Sequence, residues 1–430
     1  MGKSLQSNDR DKSAHRVVVV GAGAAGMVAA SEAAMRGAEV ILLEKNRKAG
    51  VKILMSGGTR CNITQNTDAK GIAAAFGKAG RFLQKSVGAF PPSDVVDMFN
   101  RLGVDTKVES TGKVFPKSDR AIHVRDALLN RVHDAGVRLQ MQTAVRSIQQ
   151  QDAGWLVQTE SDSIQCDKVI VTSGGKSWPG CGTTGDGYPW MHQLGHTIVK
   201  TRPALVPLVG GDRWMNELSG ITLPEVTASV YDRDDWQTKS GKKLKPLVVR
   251  QSSWLFTHFG FSGPAAMDVS GVITQGDSFD SRVLVADLLP SIEETQLVEV
   301  LQNRGGAAGK RPVANVLADW LPTRVAESVA QISGADVTIA QLSKDSLRRI
   351  VASLKRIPMP VKGTRGFEKA EVTAGGVSLK EVDPRTLESR LHPGLHIAGE
   401  LLDVDGWIGG YNFQAAFSTG RAAGIAAAEH

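Results

Sequence analysis

Val17-Val18-Val19-Val20 is an unbroken β-branched run, which predicts a short strand buried on both faces. It runs straight into Gly21-Ala22-Gly23-Ala24-Ala25-Gly26, which opens an alanine-rich helix to about Arg36, and Ala38 to Glu44 reads as the next strand. That is a βαβ unit. Alternating α and β patterns continue to about residue 200 and include the strand Asp167 to Thr172, which ends in Ser173-Gly174-Gly175. From Arg202 the texture changes to short strand-like runs such as Glu225 to Tyr231 and Trp254 to Thr257, broken by Gly, Pro and Asp. Helical spacing takes over in Glu293 to Leu301, Val313 to Leu321 and Ser346 to Lys355, with turn signals at Gly305-Gly306 and Ser333-Gly334. After Pro358-Met359-Pro360 strands return, closing on Leu395 to Glu400 and a last helix from about Tyr411. The expected organisation is a disordered tail over 1–14, an α/β domain in two parts over 15–200 and 361–430, a β-rich insertion over 201–290 and a helical subdomain over 291–360.

Composition narrows the class without changing this plan. At 430 residues, the chain is too long for one ordinary core, and 41% apolar with 22% charged residues excludes disorder, collagen and a membrane bundle. No apolar run reaches membrane-spanning length, and the polar first residues lack a signal-like apolar stretch, so no membrane partner and a cytoplasmic location are expected. Cys61, Cys166 and Cys181 are the only cysteines, with no CxxC spacing, so neither a disulfide framework nor a metal site is predicted. A net charge of +7 favours anionic partners.

The glycines carry the first chemistry. In this strand-to-helix setting Gly21 permits a tight turn, Gly23 admits a pyrophosphate to the backbone and Gly26 lets helix and strand pack closely, with phosphate charge meeting the helix start. Glu44 ends the second strand, where a carboxylate accepts hydrogen bonds from ribose hydroxyls. The far end of the chain selects the dinucleotide. A second Gly-Glu strand end, Gly399-Glu400, and a Gly-Gly helix start, Gly409-Gly410-Tyr411-Asn412, recur some 375 residues later, as expected if one long cofactor spans both. That cofactor is FAD: Glu400 suits the ribitol hydroxyls, and the last helix start would stabilise negative charge on the reduced flavin. No second GxGxxG is present, so NAD(P)H is expected only as a transient electron donor.

Four longer motifs carry a resemblance. Lys52 to Asn62 (KILMSGGTRCN), Gly182 to Tyr188 (GTTGDGY), Phe256 to Pro264 (FTHFGFSGP) and Gly399 to Gln414 (GELLDVDGWIGGYNFQ) together resemble the BaiN/RdsA family of bacterial flavoproteins, also called YhiN-like or aminoacetone-oxidase-like, from about residue 16 onward. The resemblance implies a Rossmann-like two-dinucleotide-binding FAD domain of glutathione-reductase-like type, with an inserted β-barrel-like module and a small helical subdomain. It implies a cofactor shell of Gly21, Gly23, Ala24, Ala25, Gly26, Glu44, Lys45, Lys52, Ser56, Gly57, Gly58, Arg60, Cys61, Asn62, Val145, Ser173, Gly174, Gly175, Asp186, Gly399, Glu400, Asp403, Gly409, Gly410, Tyr411 and Asn412. The chain departs from the family pattern at Val51, where relatives usually carry Arg, and at Thr59, where they usually carry a third glycine.

Two residues are candidates for chemistry beyond binding. Cys61 beside Arg60 could be a low-pKa thiol, although a buried structural thiol is the commoner role, and His258 could serve as a general acid, although a structural role is commoner there too. Lys239, Lys242, Lys243, Lys245 and Arg250 form an acid-free run, and Lys344, Arg348, Arg349, Lys355, Arg356, Lys362, Arg365 and Lys369 are opposed in sequence only by Asp345 and Glu368. On one face these cations would make a polyanion footprint; as separate solvated faces they would mean nothing. The resemblance permits reduction of uridine to dihydrouridine in 23S ribosomal RNA, reduction of an enone, or oxidation of a small amine such as aminoacetone. The basic insertion favours RNA, and a non-catalytic, flavin-containing RNA-binding factor is the reading from another class.

Overall fold

A computed structural model describes residues 15–303 and 309–429; the expected tail over 1–14 and the Gly305-Gly306 turn lie outside the described residues. The chain divides into two compact units, one of residues 1–175, 180–200 and 375–430, the other of 176–179 and 201–374.

The first unit is built on a five-stranded parallel sheet ordered 395–397, 168–171, 16–20, 39–43, 138–140. Arg16–Val20 is central, so Val17 to Val20 are covered on both faces, which is why the run carries no polar residue after Arg16. Parallel neighbours require crossovers, and the first is the helix Ala24–Ala34. An antiparallel meander, Val145–Gln151, Gly154–Thr159 and Ser163–Cys166, feeds directly into the strand Lys168–Val171. The last helix, Tyr411–Ala428, packs along the first. A Cβ on Gly420 would fall 2.3 Å from the Ala25 carbonyl oxygen, and one on Gly424 2.3 Å from that of Ala29. Two glycines one turn apart therefore lie against two alanines one turn apart, and the backbones meet where no larger side chain fits.

The second unit holds a seven-stranded antiparallel sheet ordered 357–358, 282–287, 222–232, 248–257, 260–262, 208–210, 361–364. Its two outermost strands are consecutive in sequence and joined only by Met359-Pro360, so the sheet is rolled until its edges come together. The helix Pro264–Gln275 packs on it. The amphipathic helices Glu294–Gln302, Thr323–Ile332 and Lys344–Lys355 bury Leu297, Val325 and Ile350 in the same apolar cluster as Leu208, Trp254 and Phe261. The β-rich and helical stretches thus share one core, because each helix has a single apolar stripe and the sheet offers the surface that covers it.

Replacing Gly420 with Val should destabilise the first unit by about 3 kcal/mol, since the added atoms meet backbone that cannot yield. Thermal melting should show the loss, with Ala422→Val, on a partly buried helix position, as the milder comparison.

Candidate functional site

The first strand ends in the turn that shapes the site. Gly21 has φ 101°, and a Cβ there would lie 2.7 Å from the Thr172 carbonyl oxygen, while one on Gly26 would lie 1.8 Å from that of Gly21. Gly23 caps the helix with no side-chain hydrogen bond, and nothing stands within 4 Å of where its Cβ would be. No side chain caps this helix start and the space beside Gly23 is open, as an anion site requires. Thr172 braces the turn from the next strand: its hydroxyl donates to the carbonyls of Val20 (2.9 Å) and Gly21 (3.0 Å). Ser173, just beyond it and followed by Gly174 and Gly175, has an enclosed Oγ without a hydrogen-bond partner among the described residues.

Glu44 is buried at the end of the second strand, where its carboxylate accepts from the backbone N–H groups of Ala22 and Asn46, both at 2.9 Å. The Glu44 carbonyl accepts from Thr143 N–H at 2.8 Å, tying in the segment that leads to Val145. Lys45 donates to Thr184 Oγ1 at 2.7 Å and pairs with Asp186, and Asn46 donates to the Cys181 carbonyl at 3.1 Å. The Gly182 to Tyr188 motif is therefore fastened to the strand end that carries Glu44.

The loop over 56–62 links this region to the far end of the chain. Lys52, on the short helix Val51–Met55, forms an ion pair with Glu400 across 348 positions of sequence. Ser56 turns its hydroxyl to the Ile53 carbonyl at 2.8 Å. Four residues of the next five have positive φ: Gly57 (54°), Gly58 (66°), Thr59 (68°) and Cys61 (61°). Thr59 thus occupies the left-handed region that favours glycine, at a conformational cost of about 1 kcal/mol. Asn62 is buried, donating its amide N–H to the carbonyls of Thr64 (3.0 Å) and Val114 (3.2 Å) and accepting from Gly410 N–H (3.0 Å). Gly410, at φ 89°, starts the last helix, and a Cβ there would strike the Thr64 backbone at 2.6 Å. Thr64 Oγ1 also donates to Gln414 Oε1 at 2.6 Å. Asn412 closes the preceding loop, accepting from Gly406 N–H (2.8 Å) and donating to its carbonyl (2.9 Å), and the Tyr411 ring meets Trp407 edge-on.

Arg60 and Cys61 differ from a reactive pair. The Arg60 guanidinium lies over the Phe115 ring at 4.0 Å and binds Glu109 and Asp119. Lys107 and then Arg60 hold Asp119 below the usual carboxylate range. The Cys61 thiol is fully buried, and burial pushes it up to about 12, opposite to the low-pKa thiol its sequence neighbour suggested. Burial also raises Tyr188, aided by the negative charges of Glu400 and Asp403. Gly399 donates its N–H to Thr419 Oγ1 at 3.1 Å, and Asp403 to the Val377 carbonyl at 3.0 Å. His258 belongs to the second unit, exposed in the turn after Val248–Thr257 with its ring edge-on to Phe259.

The family model for the HI0933-like protein Rossmann domain matches residues 15–426. The chain belongs to that family. Among curated proteins, the chain is 32% identical to a ribosomal RNA dihydrouridine synthase of Escherichia coli, over 94% of this chain and 95% of that one. It is 29% identical to a 3-dehydro-bile acid delta(4,6)-reductase of Clostridium scindens, over 96% and 99%. A solved 3-ketosteroid-delta4-(5alpha)-dehydrogenase of Rhodococcus jostii is 15% identical with TM-score 0.48, over 99% of each chain. The protein is a FAD-dependent oxidoreductase of the HI0933-like family. The open Gly23 cradle, the unpartnered Ser173 hydroxyl and the Glu44 carboxylate fit the cofactor of that family. Thr64, Asn46, Thr172 and Gln414 were not singled out by sequence reasoning; the last falls within the Gly399 to Gln414 motif, but nothing local marks its partners.

The basic stretches are more engaged than their sequence neighbours implied. Arg250 pairs with Asp268 (3.0 Å), Lys355 with Asp287 (2.6 Å), Lys239 with Asp235 (2.6 Å) and Arg356 with Glu294 (3.6 Å). Arg349 donates to Ser333 O and Ser346 Oγ, and Arg348 meets Asp345 at 3.4 Å. Lys243 and Lys245 are exposed, and the Lys242 side chain lies outside the described residues. In the Lys344 to Lys369 stretch, Lys355 and Arg356 thus meet carboxylates distant in sequence, beyond the Asp345 and Glu368 expected to oppose it. Among the described residues no group of His, Cys, Asp and Glu could hold a metal, and no helix is long and apolar enough to cross a membrane.

Two outcomes test this site. Thr59→Gly should leave FAD binding intact and raise stability by up to about 1 kcal/mol in denaturant unfolding. Cys61 should resist a thiol reagent in the folded protein across neutral pH; stability should fall from about pH 9 upward, because the unfolded thiol ionises while the buried one keeps its proton.

Proposed function

We propose that the protein reduces an activated carbon–carbon double bond, with uridine in ribosomal RNA, converted to dihydrouridine, as its substrate and NAD(P)H as the transient donor, acting in the cytoplasm. The observation that carries this reading is the near full-length relationship to a ribosomal RNA dihydrouridine synthase. The bile-acid reductase among its relatives favours C=C reduction from a second direction, and makes an enone the runner-up substrate. When bound, FAD supplies a hydride carrier.

The chain's own residues hold and polarise. Glu44 and the bare helix start after Gly23 suit ribose and phosphate, while the paired Lys52 and Glu400 would orient polyol hydroxyls. The start of the last helix, after Gly410, favours negative charge beside it. Burial keeps the Cys61 thiol protonated near neutrality, so it offers no thiolate nucleophile there.

Anaerobic mixing of the purified yellow protein with NADH or NADPH should bleach the visible flavin band within seconds. Ribosomal RNA from cells lacking the gene should lose dihydrouridine, and the holoenzyme should restore it. Bleaching without any change in RNA, but with turnover of a steroid enone, would move the assignment to the runner-up; no bleaching by either nucleotide would sink the reductase reading.

A further inference from the structure

Two cations that remain exposed in the second unit have a different partner from those in the paired clusters. Arg365 stands 4.7 Å from the centroid of the Phe259 ring, and Lys369 Nζ 5.4 Å from that of Trp178. Both cations are exposed and both rings are partly so. Neither cation forms an ion pair among the described residues, unlike Arg250, Lys355 or Arg356.

One segment positions both pairs. Arg365 N–H donates to the Pro207 carbonyl (3.1 Å), and Lys369 N–H turns back to that of Gly366 (3.2 Å). Trp178 N–H donates to the Phe367 carbonyl at 3.0 Å, between the two cations. The Phe259 carbonyl accepts from Gly210 N–H at 2.9 Å, which fixes the turn that presents its ring. Trp178 itself has φ 54°, a strained conformation for a bulky side chain, held by bonds from the N–H groups of Lys176 and Ser177 to Thr373 Oγ1. Backbone strain is being spent to place an aromatic face. Arg365 and Lys369 are four residues apart, so their Cα atoms lie no more than about 14 Å from one another, a span that a few nucleotides cover.

An aromatic face with a mobile cation over it is what single-stranded nucleic acid uses: bases stack on the rings while the cations reach phosphates. We infer that Phe259 with Arg365 and Trp178 with Lys369 form two stacking platforms for unpaired bases of an RNA strand. The inference rests on the RNA reading above and adds to it the place where the strand is gripped.

The test uses the FAD-loaded full chain and a fluorescein-labelled oligouridylate, followed by anisotropy over a range of salt. Phe259→Ala and Trp178→Ala should each weaken binding about ten-fold with little change in salt dependence, and Phe259→Tyr should restore it. Arg365→Gln, an exposed change that spares the fold, should lower the salt slope by about one. If these variants bind as tightly as the parent protein, the platforms are overturned; should that parent still form dihydrouridine in ribosomal RNA, the reading of function survives without them. Conversely, binding that depends on the rings in an enzyme that never reduces uridine would keep the platforms and remove the substrate assignment.

Discussion

The approach of the first and last helices is the constraint on which the site depends. Gly420 and Gly424 bring the backbone of the last helix against Ala25 and Ala29 of the first, at a separation that any side chain larger than hydrogen would prevent. Everything that reads as cofactor chemistry hangs from that contact. The Gly21 to Gly26 turn leads into one helix, and the Gly409-Gly410 start begins the other. Their register decides whether Lys52 meets Glu400 and whether Asn62 meets Gly410. Dispersion between close backbones is small per atom pair, but it acts along two full helix turns and carries no desolvation cost.

Polar contacts then fix what apolar packing leaves loose. Thr64, Gln414, Ser418 and the Phe90 carbonyl form a buried chain of hydrogen bonds, with Gln414 donating to Phe90 O at 2.8 Å and to Ser418 Oγ at 2.9 Å. Inside a core such a network stabilises only when every member is satisfied, so it selects one placement of the last helix over its neighbours. The same logic explains the Arg60, Glu109, Asp119 and Lys107 group: its ion pairs tie the strained 57–61 loop to the neighbouring strands.

What was legible in the sequence was local. The Val17 to Val20 run, the three glycines after it and Glu44 lie within about thirty residues, and each reports a backbone demand that its own side chain, or lack of one, reveals. Gly399-Glu400 and Gly409-Gly410, which repeat the same grammar, pointed to the far end of the chain. The loop shape at Thr59 and Cys61 was not, since neither residue type signals a positive φ. Nor was the fate of the cations. Asp287 and Asp268 lie 68 and 18 positions from the Lys355 and Arg250 they neutralise, and only the rolled sheet with its packed helices brings them together. Charge counted along a chain overstates the charge a folded surface presents.

The two halves of the candidate site are separated by about 375 residues, and that distance has a meaning in time. At the usual pace of synthesis the Gly21 to Gly26 turn leaves the ribosome roughly 20 to 75 s before Gly399 to Asn412 follows it. During that interval the parallel sheet lacks its 395–397 strand, and the first helix lacks the partner that covers Ala25 and Ala29. The intervening unit, with a core of its own, has all seven strands of its antiparallel sheet by residue 364. The strands of the inserted unit's large sheet are therefore all made before the last helix, and the first helix gains its close-packed partner only when that helix emerges.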